Sequence, residues 1–239
     1  MRVMSISTLN GKSGKKELID YLRIAEVAGA RLVVFPSSYL PYYKNASAFY
    51  HRQDINALPT VIPKNITIVA GVNFIEDDGK QYKTVVTCDS TGIKNLHNKV
   101  NIESHYIKKG FSAGEGHDMS VIVDGVTINT LECFETLFEA NWPGAQLITG
   151  SVGFGMFAKT ENYNCDYFEQ WLTMVKASCL RNTCWALLSC NAQHKDFMTV
   201  CVNSCGELVA LARVPGFFIV DIDFNDVRRD KQPLLQDSK

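Results

Sequence analysis

The sequence predicts a layered domain of the α+β or α/β type. Three observations lead to this class. Segments with strand and helix periodicity alternate early in the chain, tight turns divide the middle into hairpins, and the last third is rich in strands after one long helix. Helices of this kind must bury one apolar face, and we expect them to pack against the sheets.

The early segments alternate strand and helix. Residues 2–9 predict a strand, and residues 15–29 predict a helix because their apolar side chains recur at helical spacing. Residues 31–35 form a short apolar run that is typical of a strand covered on both faces, and Pro36 ends it. The loop of residues 10–14 contains Gly-Lys-Ser but lacks the earlier glycine of a phosphate-binding loop, so no nucleotide site is predicted.

The remaining segments predict hairpins, a long helix and further strands. The turns Glu76–Gly79 and Asp124–Gly125 each separate two alternating segments, which is typical of a hairpin. The helix is predicted at residues 168–182, where apolar side chains recur at helical spacing. The predicted strands span residues 66–74, 81–88, 93–99, 119–123, 126–132, 144–149, 185–189, 198–202, 208–212 and 217–223.

Length and composition indicate one domain with a large core. The chain has 239 residues, of which 46% are hydrophobic, and no stretch has the composition of a linker. We therefore expect a single domain over residues 1–239. Residues 226–239 are polar and are predicted to form a tail.

Charge, apolar runs and cysteine spacing exclude several classes of protein. The 24 basic and 25 acidic residues nearly balance, so neither nucleic acid nor a membrane surface is expected as a partner. No apolar run could span a bilayer, and the first residues do not resemble a secretion signal, which predicts a cytoplasmic protein. The eight cysteines lack metal-binding spacing and are expected to be reduced, mostly in the core, so no metal or other cofactor is predicted.

Cys133 stands where the sequence pattern changes. Residues 126–132 alternate apolar and polar side chains as a half-buried strand does, and residues 134–140 have helical spacing. A thiol on such a strand-to-helix elbow would face the positive end of the helix, with a lowered pKa and greater nucleophilicity. The alternative is that Cys133 is a buried core residue like most free cysteines. Lys99 follows another strand and, taken alone, would be a solvated surface group.

Together these stretches resemble the nitrilase superfamily of carbon-nitrogen hydrolases, nearly from end to end. No single piece is specific, but their order and spacing are. The matching segments are the strand ending in Phe-Pro at residues 32–36, the lysine motif at 98–102, the cysteine motif at 132–135 with the acid at 139, the strand at 144–148, and the closing strand at 220–223.

The resemblance implies a fold, a reaction and an assembly. The fold would be a four-layer αββα sandwich of the α+β class, usually paired face to face into a homo-oligomer. The site would be a Glu-Lys-Cys triad in which Cys133 attacks the carbon of a small amide or nitrile. Lys99 and the backbone N–H of Phe134 would hold the oxyanion, and Glu135 would support the elbow.

The sequence departs from this family at the residue that should be the general base. Ser37 stands where the family has glutamate, and a hydroxyl cannot accept a proton near neutral pH. We expect Ser37 to lie in the same pocket as Lys99 and Cys133, with unfilled space that a glutamate at position 37 would occupy. Glu103 is the nearest substitute acid and Glu115 the second choice, whereas strand alternation predicts that Glu132 points away from Cys133.

Three functional hypotheses follow. The first is an amidase that acts on a small amide through a thioester on Cys133. The second is a catalytically inactive relative retained for binding a ligand or protein. The third is a thiol-redox protein, for which Cys133 alone would suffice, although no second cysteine is close to it in sequence.

Overall fold

Twelve β-strands and four α-helices make up the part of the chain that the computed structural model describes, namely residues 1–9, 15–39, 49–116, 119–153, 166–192, 197–213 and 215–225. The strands are β1 Arg2–Leu9, β2 Leu32–Val34, β3 Thr67–Ile75, β4 Gln81–Asp89, β5 Gly92–Asn98, β6 Ser120–Val123, β7 Val126–Glu132, β8 Leu147–Gly153, β9 Trp185–Ala192, β10 Met198–Val202, β11 Leu208–Arg213 and β12 Gly216–Asp221. The helices are α1 Lys15–Val27, α2 Arg52–Asn56, α3 Ser104–Ile107 and α4 Asp166–Asn182. None of these helices combines the length and the apolar character that crossing a bilayer requires.

The strands form two mixed sheets that meet at β1. The first sheet has the order β5-β4-β3-β2-β1-β12, and the second has the order β6-β7-β8-β9-β10-β11. The last two residues of β1, Thr8 and Leu9, pair in parallel with β9, so one strand belongs to both sheets. Strands β1, β2 and β3 are parallel, as are β7, β8 and β9.

Alternation along the strands divides the buried apolar residues among three clusters, one between the two sheets and one between each sheet and its helix. On β2, Leu32 and Val34 face the second sheet, whereas Val33 packs in the cluster that contains Leu18 and Leu22 of α1. The same division on the second sheet places Ile148 of β8 with α4. The chain therefore stacks α1, the first sheet, the second sheet and α4. The predicted four-layer αββα sandwich is confirmed.

Every strand predicted from the sequence is present, with ends that differ by a few residues, but the helix predicted after Cys133 is wrong. Residues Cys133–Leu137 form a 3-10 helix of five residues, and Phe138 is already extended. The short helices α2 and α3 have too few residues to produce a periodic signal. The loop of residues 10–14, most of the aromatic loop at residues 39–50 and the tail at residues 226–239 lie outside the described residues.

The carboxyl ends of the parallel strands converge at one end of the two sheets. Ser37 follows β2, Cys133 follows β7, Gly153 ends β8 and Asn191 lies near the end of β9. Two hydrogen bonds tie these ends together across the sheets. Ser151 Oγ donates to the Phe35 carbonyl at 2.8 Å, and Asn191 Nδ2 donates to the Ser37 carbonyl at 3.1 Å. In open sheets with parallel strands, this edge is the usual place for a ligand site.

Two leucines with different burial should differ in how much stability is lost when each is replaced by alanine. Leu187 is fully buried between the sheets, whereas Leu211 on β11 is 46% exposed. Leu187→Ala should lower the free energy of unfolding by about 2–5 kcal/mol, because a cavity remains in a closely packed layer. Leu211→Ala should cost about 1 kcal/mol or less. Urea denaturation followed by circular dichroism measures both, and equal losses would contradict this assignment of the core.

Candidate active site

Cys133 sits on a sharp backbone turn at the end of β7. Its φ is +52°, in the left-handed region that residues with a side chain rarely adopt. Its side chain is largely buried, and its thiol lies 3.7 Å from the carbonyl oxygen of Gly153 at the end of β8. The elbow predicted at Cys133 is therefore present, although a 3-10 helix follows it.

Glu135 holds this turn against the segment that carries Lys99. One carboxylate oxygen accepts hydrogen bonds from the Glu132 N–H at 3.0 Å and pairs with His97 Nε2 at 2.9 Å. The other oxygen accepts from the Val100 N–H at 2.8 Å. Burial opposes the charged form, but these partners lower the pKa of Glu135 below its usual value. A charged Glu135 thus joins the end of β5 to the start of the Cys133 turn.

Lys99 is fully buried and pairs with Glu103. Its Nζ lies 2.9 Å and 2.8 Å from the two carboxylate oxygens of Glu103, four residues further along the chain. The same Nζ lies 5.8 Å from the centre of the Tyr106 ring. Burial disfavours the ammonium, yet the nearby Cys133, Glu103 and Glu132 together raise the pKa of Lys99 above its usual value. The surrounding groups therefore favour the charged form of Lys99 inside the site.

Ser37 and Glu132 meet directly, which the sequence analysis did not predict. Ser37 Oγ donates a short hydrogen bond to Glu132 Oε1, and both side chains are buried. The expectation that Glu132 points away from the site is wrong. The Glu132 carboxylate also occupies the space beside Ser37 that was expected to be unfilled.

The direction of Glu132 has two local causes. The turn at Cys133 breaks the strand alternation on which the expectation depended, so successive side chains no longer point to opposite faces. Gly71 on β3 supplies room, because a Cβ there would lie 2.8 Å from Glu132 Oε2 and 2.7 Å from the Cα of Ser37. Any larger residue at position 71 would displace the Ser37 and Glu132 pair.

Lys83 is a second buried lysine, which sequence reasoning missed. It lies on β4, its Nζ donates to Ser38 Oγ at 2.8 Å, and it lies 4.8 Å from the centre of the Tyr106 ring. Burial lowers the pKa of Lys83, and the Glu132 carboxylate is the main group that opposes this shift. The sequence carried one signal for Lys83, a charge that directly precedes the apolar or small residues Thr84 to Cys88 of the same strand.

Burial raises the pKa of the Cys133 thiol above its ordinary value, which contradicts the lowered pKa expected from a helix terminus. The charge of Lys99 is the largest influence in the opposite direction, and the carboxylates of Glu132 and Glu103 add to the increase. The thiol therefore remains protonated at neutral pH. A reaction at this sulfur requires a group that removes its proton during the attack.

The other residues considered from sequence are spread around this site. Phe134 follows Cys133 as the second residue of the 3-10 helix, and Glu115 is exposed on the loop before β6. Tyr39 is buried and stacks on Phe35, with 4.6 Å between the ring centres. In the described ranges no cluster of His, Cys, Asp or Glu has the composition of a metal site.

Comparisons with known proteins bear on this fold and site. The family described as carbon-nitrogen hydrolase matches residues 4–232. The structure of Nit3 from Saccharomyces cerevisiae, a member of branch 10 of the nitrilase superfamily, is similar with a TM-score of 0.77 at 14% identity, covering 99% of this chain and 95% of that one. A mutant of the amidase from Nesterenkonia sp. AN1, which shows the result of Michael addition of acrylamide at the active site cysteine, has a TM-score of 0.73 at 17% identity, covering 96% of this chain and 97% of that one.

These findings settle the family. Among curated proteins no significant match is found. The two solved structures share the fold with this chain, at identities too low to carry their activities across. The family match spans nearly all of the sequence, and the resemblance to the nitrilase superfamily is confirmed. The chain belongs to the carbon-nitrogen hydrolase family.

Proposed function

We propose that this protein hydrolyses a small amide, with Cys133 as the nucleophile and a thioester as the intermediate. The observation that carries the proposal is the buried cation beside the thiol. Lys99 is the strongest influence that favours the thiolate of Cys133, and it is kept charged by Glu103. A fixed positive charge next to a nucleophile, in a site with little water, stabilises negative charge that develops during attack on a carbonyl.

The proposed reaction runs in two stages. Cys133 Sγ forms a bond to the carbonyl carbon, and the electron pair of the C=O bond moves to the oxygen. Lys99 Nζ and the backbone N–H of Phe134 stabilise that oxyanion. The C–N bond then breaks, ammonia or an amine leaves, and water hydrolyses the thioester to release the acid and the thiol.

Glu103, the substitute acid expected from the sequence, is given a different role in this proposal. Both of its oxygens lie within 3 Å of Lys99 Nζ, so its negative charge is directed at the ammonium. A carboxylate in that position maintains the cation and the position of Lys99. We propose Glu103 as a positioning residue and assign the proton transfer to another group, which is argued in the next subsection.

The size of the substrate is proposed from the site and from a relative. The described walls of the site, among them Tyr106, Ser37 and Lys83, are close together and mostly buried. The Nesterenkonia amidase has been seen with acrylamide and with the acetamide moiety of fluoroacetamide on its active site cysteine. We therefore propose short aliphatic amides as the substrate class.

An inactive binding protein is the second candidate, because two observations favour it. The thiol pKa is raised by burial, and Ser37 cannot act as a base. Such a protein would bind small amides in the same pocket without turnover.

The third hypothesis, a redox protein, has no comparable support, since the seven cysteines in the described residues are all free thiols. Free thiols are typical of a reducing compartment, and we propose the cytoplasm as the location.

The nucleophile is tested by trapping the acyl group. With acetamide or propionamide and hydroxylamine, the wild type should form the hydroxamic acid, because hydroxylamine attacks the thioester in place of water. Cys133→Ala should abolish both this product and ammonia release, whereas Cys205→Ala, at a partly exposed thiol, should change neither. Tight amide binding by calorimetry without any product would favour the binding protein.

The oxyanion role of Lys99 predicts a loss in kcat. Lys99→Gln should reduce kcat by about 10²- to 10³-fold, since the positive charge beside the oxyanion is removed while a polar side chain remains. Lys108→Gln, at an exposed lysine just after α3, is the matched control and should leave kcat unchanged. Steady-state kinetics on propionamide measure both variants, and a change confined to KM would assign Lys99 to ground-state binding.

Self-association is also part of the proposal, since the family resemblance implies paired sandwiches. Light scattering at micromolar concentration should give at least twice the chain mass of 26.7 kDa. A single 26.7 kDa species at that concentration would contradict it.

A further inference from the structure

The two oxygens of the Glu132 carboxylate have different surroundings. Oε1 accepts the hydrogen bond of Ser37, whereas Oε2 is buried and has no hydrogen-bond partner among the described residues. A buried carboxylate oxygen without a partner is costly, and such an atom in a native site calls for a functional explanation. Glu132 Oε2 therefore has a free lone pair in the site.

This oxygen belongs to the residue next to the proposed nucleophile. Ser37 and Cys133 approach the same point of β8, because a Cβ on Gly153 would lie 3.2 Å from Ser37 Cβ, and the Cys133 thiol lies 3.7 Å from the Gly153 carbonyl. The Glu132 carboxylate, bound to Ser37, is thus held beside the thiol. Its negative charge raises the pKa of the Cys133 thiol.

We propose that Glu132 is the general base and acid of the reaction and that Ser37 is the positioning residue that orients its carboxylate. The carboxylate would then reach the site from β7 instead of from the end of β2, where the family has it. This assignment rests on the proposed amide hydrolysis for its later steps, but the first step, removal of the thiol proton, is independent of turnover.

The charges around Glu132 suit this role. Burial raises the pKa of Glu132 to about 7, against the opposing effects of Lys83, Lys99 and the Ser37 hydrogen bond, and the negative Glu135 adds to the increase. A base whose pKa is near the pH of the reaction can accept a proton and return it at little cost in free energy in either direction. Glu103, by contrast, has both oxygens within 3 Å of the Lys99 ammonium, although only its Oε1 accepts a hydrogen bond from Lys99.

The proposed proton path balances at each stage. The S–H bond of Cys133 breaks as its proton moves to Glu132 Oε2 and the S–C bond forms. The Glu132 acid then gives that proton to the departing nitrogen as the C–N bond breaks. In the second stage Glu132 accepts a proton from water as the water oxygen bonds to the acyl carbon, and it returns that proton to the Cys133 sulfur as the S–C bond breaks. The sum is amide plus water to carboxylic acid plus amine.

The proposal predicts that Ser37→Glu lowers activity, although it restores the residue type that the family has at this position. A glutamate at position 37 would put a second carboxylate against Glu132, and repulsion would raise the pKa of the pair and lower activity. The exchange Ser37→Glu with Glu132→Ser keeps one carboxylate and one hydroxyl in the pocket. We expect Glu132→Ser alone to lose about 10²-fold in kcat/KM and the double exchange to regain at least about tenfold of that loss.

The decisive measurement is alkylation of Cys133 by iodoacetamide, followed by mass spectrometry between pH 6 and 9. If Glu132 takes the thiol proton, Glu132→Gln should slow labelling at pH 7 by about tenfold or more, and the rise of the wild-type rate near pH 7 should disappear. If Glu132 acts only as a negative neighbour, its removal lowers the thiol pKa and labelling becomes faster. Faster or unchanged labelling would overturn the proposal.

Three controls make the result specific. Labelling of Cys205 in the same spectra shows how reactive the iodoacetamide is at each pH. Glu207→Gln, at an exposed glutamate between β10 and β11, should leave the labelling rate of Cys133 unchanged. Glu103→Gln should keep the rise near pH 7, and its loss there would assign the base to Glu103. Circular dichroism confirms that each variant is folded.

The outcome also separates this proposal from the proposed function. Slower labelling of Glu132→Gln without any hydroxamate from the wild type would keep Glu132 as the base and reject amide hydrolysis. Hydroxamate formation that survives in Glu132→Gln at the wild-type rate would keep the hydrolase and reject Glu132.

Discussion

The left-handed backbone at Cys133 is the constraint on which the site depends. A residue with a side chain in this conformation costs about 1–3 kcal/mol and persists only where the surrounding structure fixes it. Glu135 provides that fixation, because its carboxylate binds the Glu132 N–H on one side of the turn and the Val100 N–H and His97 on the other. The turn sends the side chains of Glu132 and Cys133 into one pocket. The same carboxylate thus positions the thiol, its neighbour and the segment that carries Lys99.

Charge balance connects the two buried lysines to the two carboxylates. Burying an unpaired ammonium costs several kcal/mol, so each buried lysine needs an opposing charge nearby. Glu103 meets this need for Lys99, and Glu132 is the main carboxylate that favours the charged form of Lys83. A serine at position 37 removes one negative charge that the family keeps in this pocket, and Glu132 replaces it within the same space. The charges of Lys83 and Lys99 and the Ser37 hydrogen bond therefore favour a carboxylate at Glu132, against the effect of burial.

The sequence predicted the regular parts of this protein and only part of the site. Period-two alternation located strands such as β7, and helical spacing located α1 and α4, because each buries one face continuously. Cys133 stands out because the alternation ends there, whereas Lys99 was singled out only through the family resemblance. Glu132 was misassigned because alternation assumes extended backbone, and nothing local in the sequence indicates a positive φ at a cysteine. Lys83 was missed because its burial depends on the rings of Tyr106 in α3 and Phe111 after it, more than twenty residues further along the chain.

Two glycines explain why the same pocket can take its carboxylate from the end of β7 instead of from the end of β2. A Cβ on Gly71 would meet Glu132 Oε2, and a Cβ on Gly153 would meet Ser37, so the absence of both side chains leaves room for the hydroxyl and carboxylate pair. Position 37 and position 132 lie on opposite sides of this space, at the ends of β2 and β7. General base catalysis requires a carboxylate oxygen beside the thiol and is indifferent to the strand that supplies it. A short residue at one position and a long acid at the other can therefore satisfy the same chemical requirement, but two acids cannot occupy the space together.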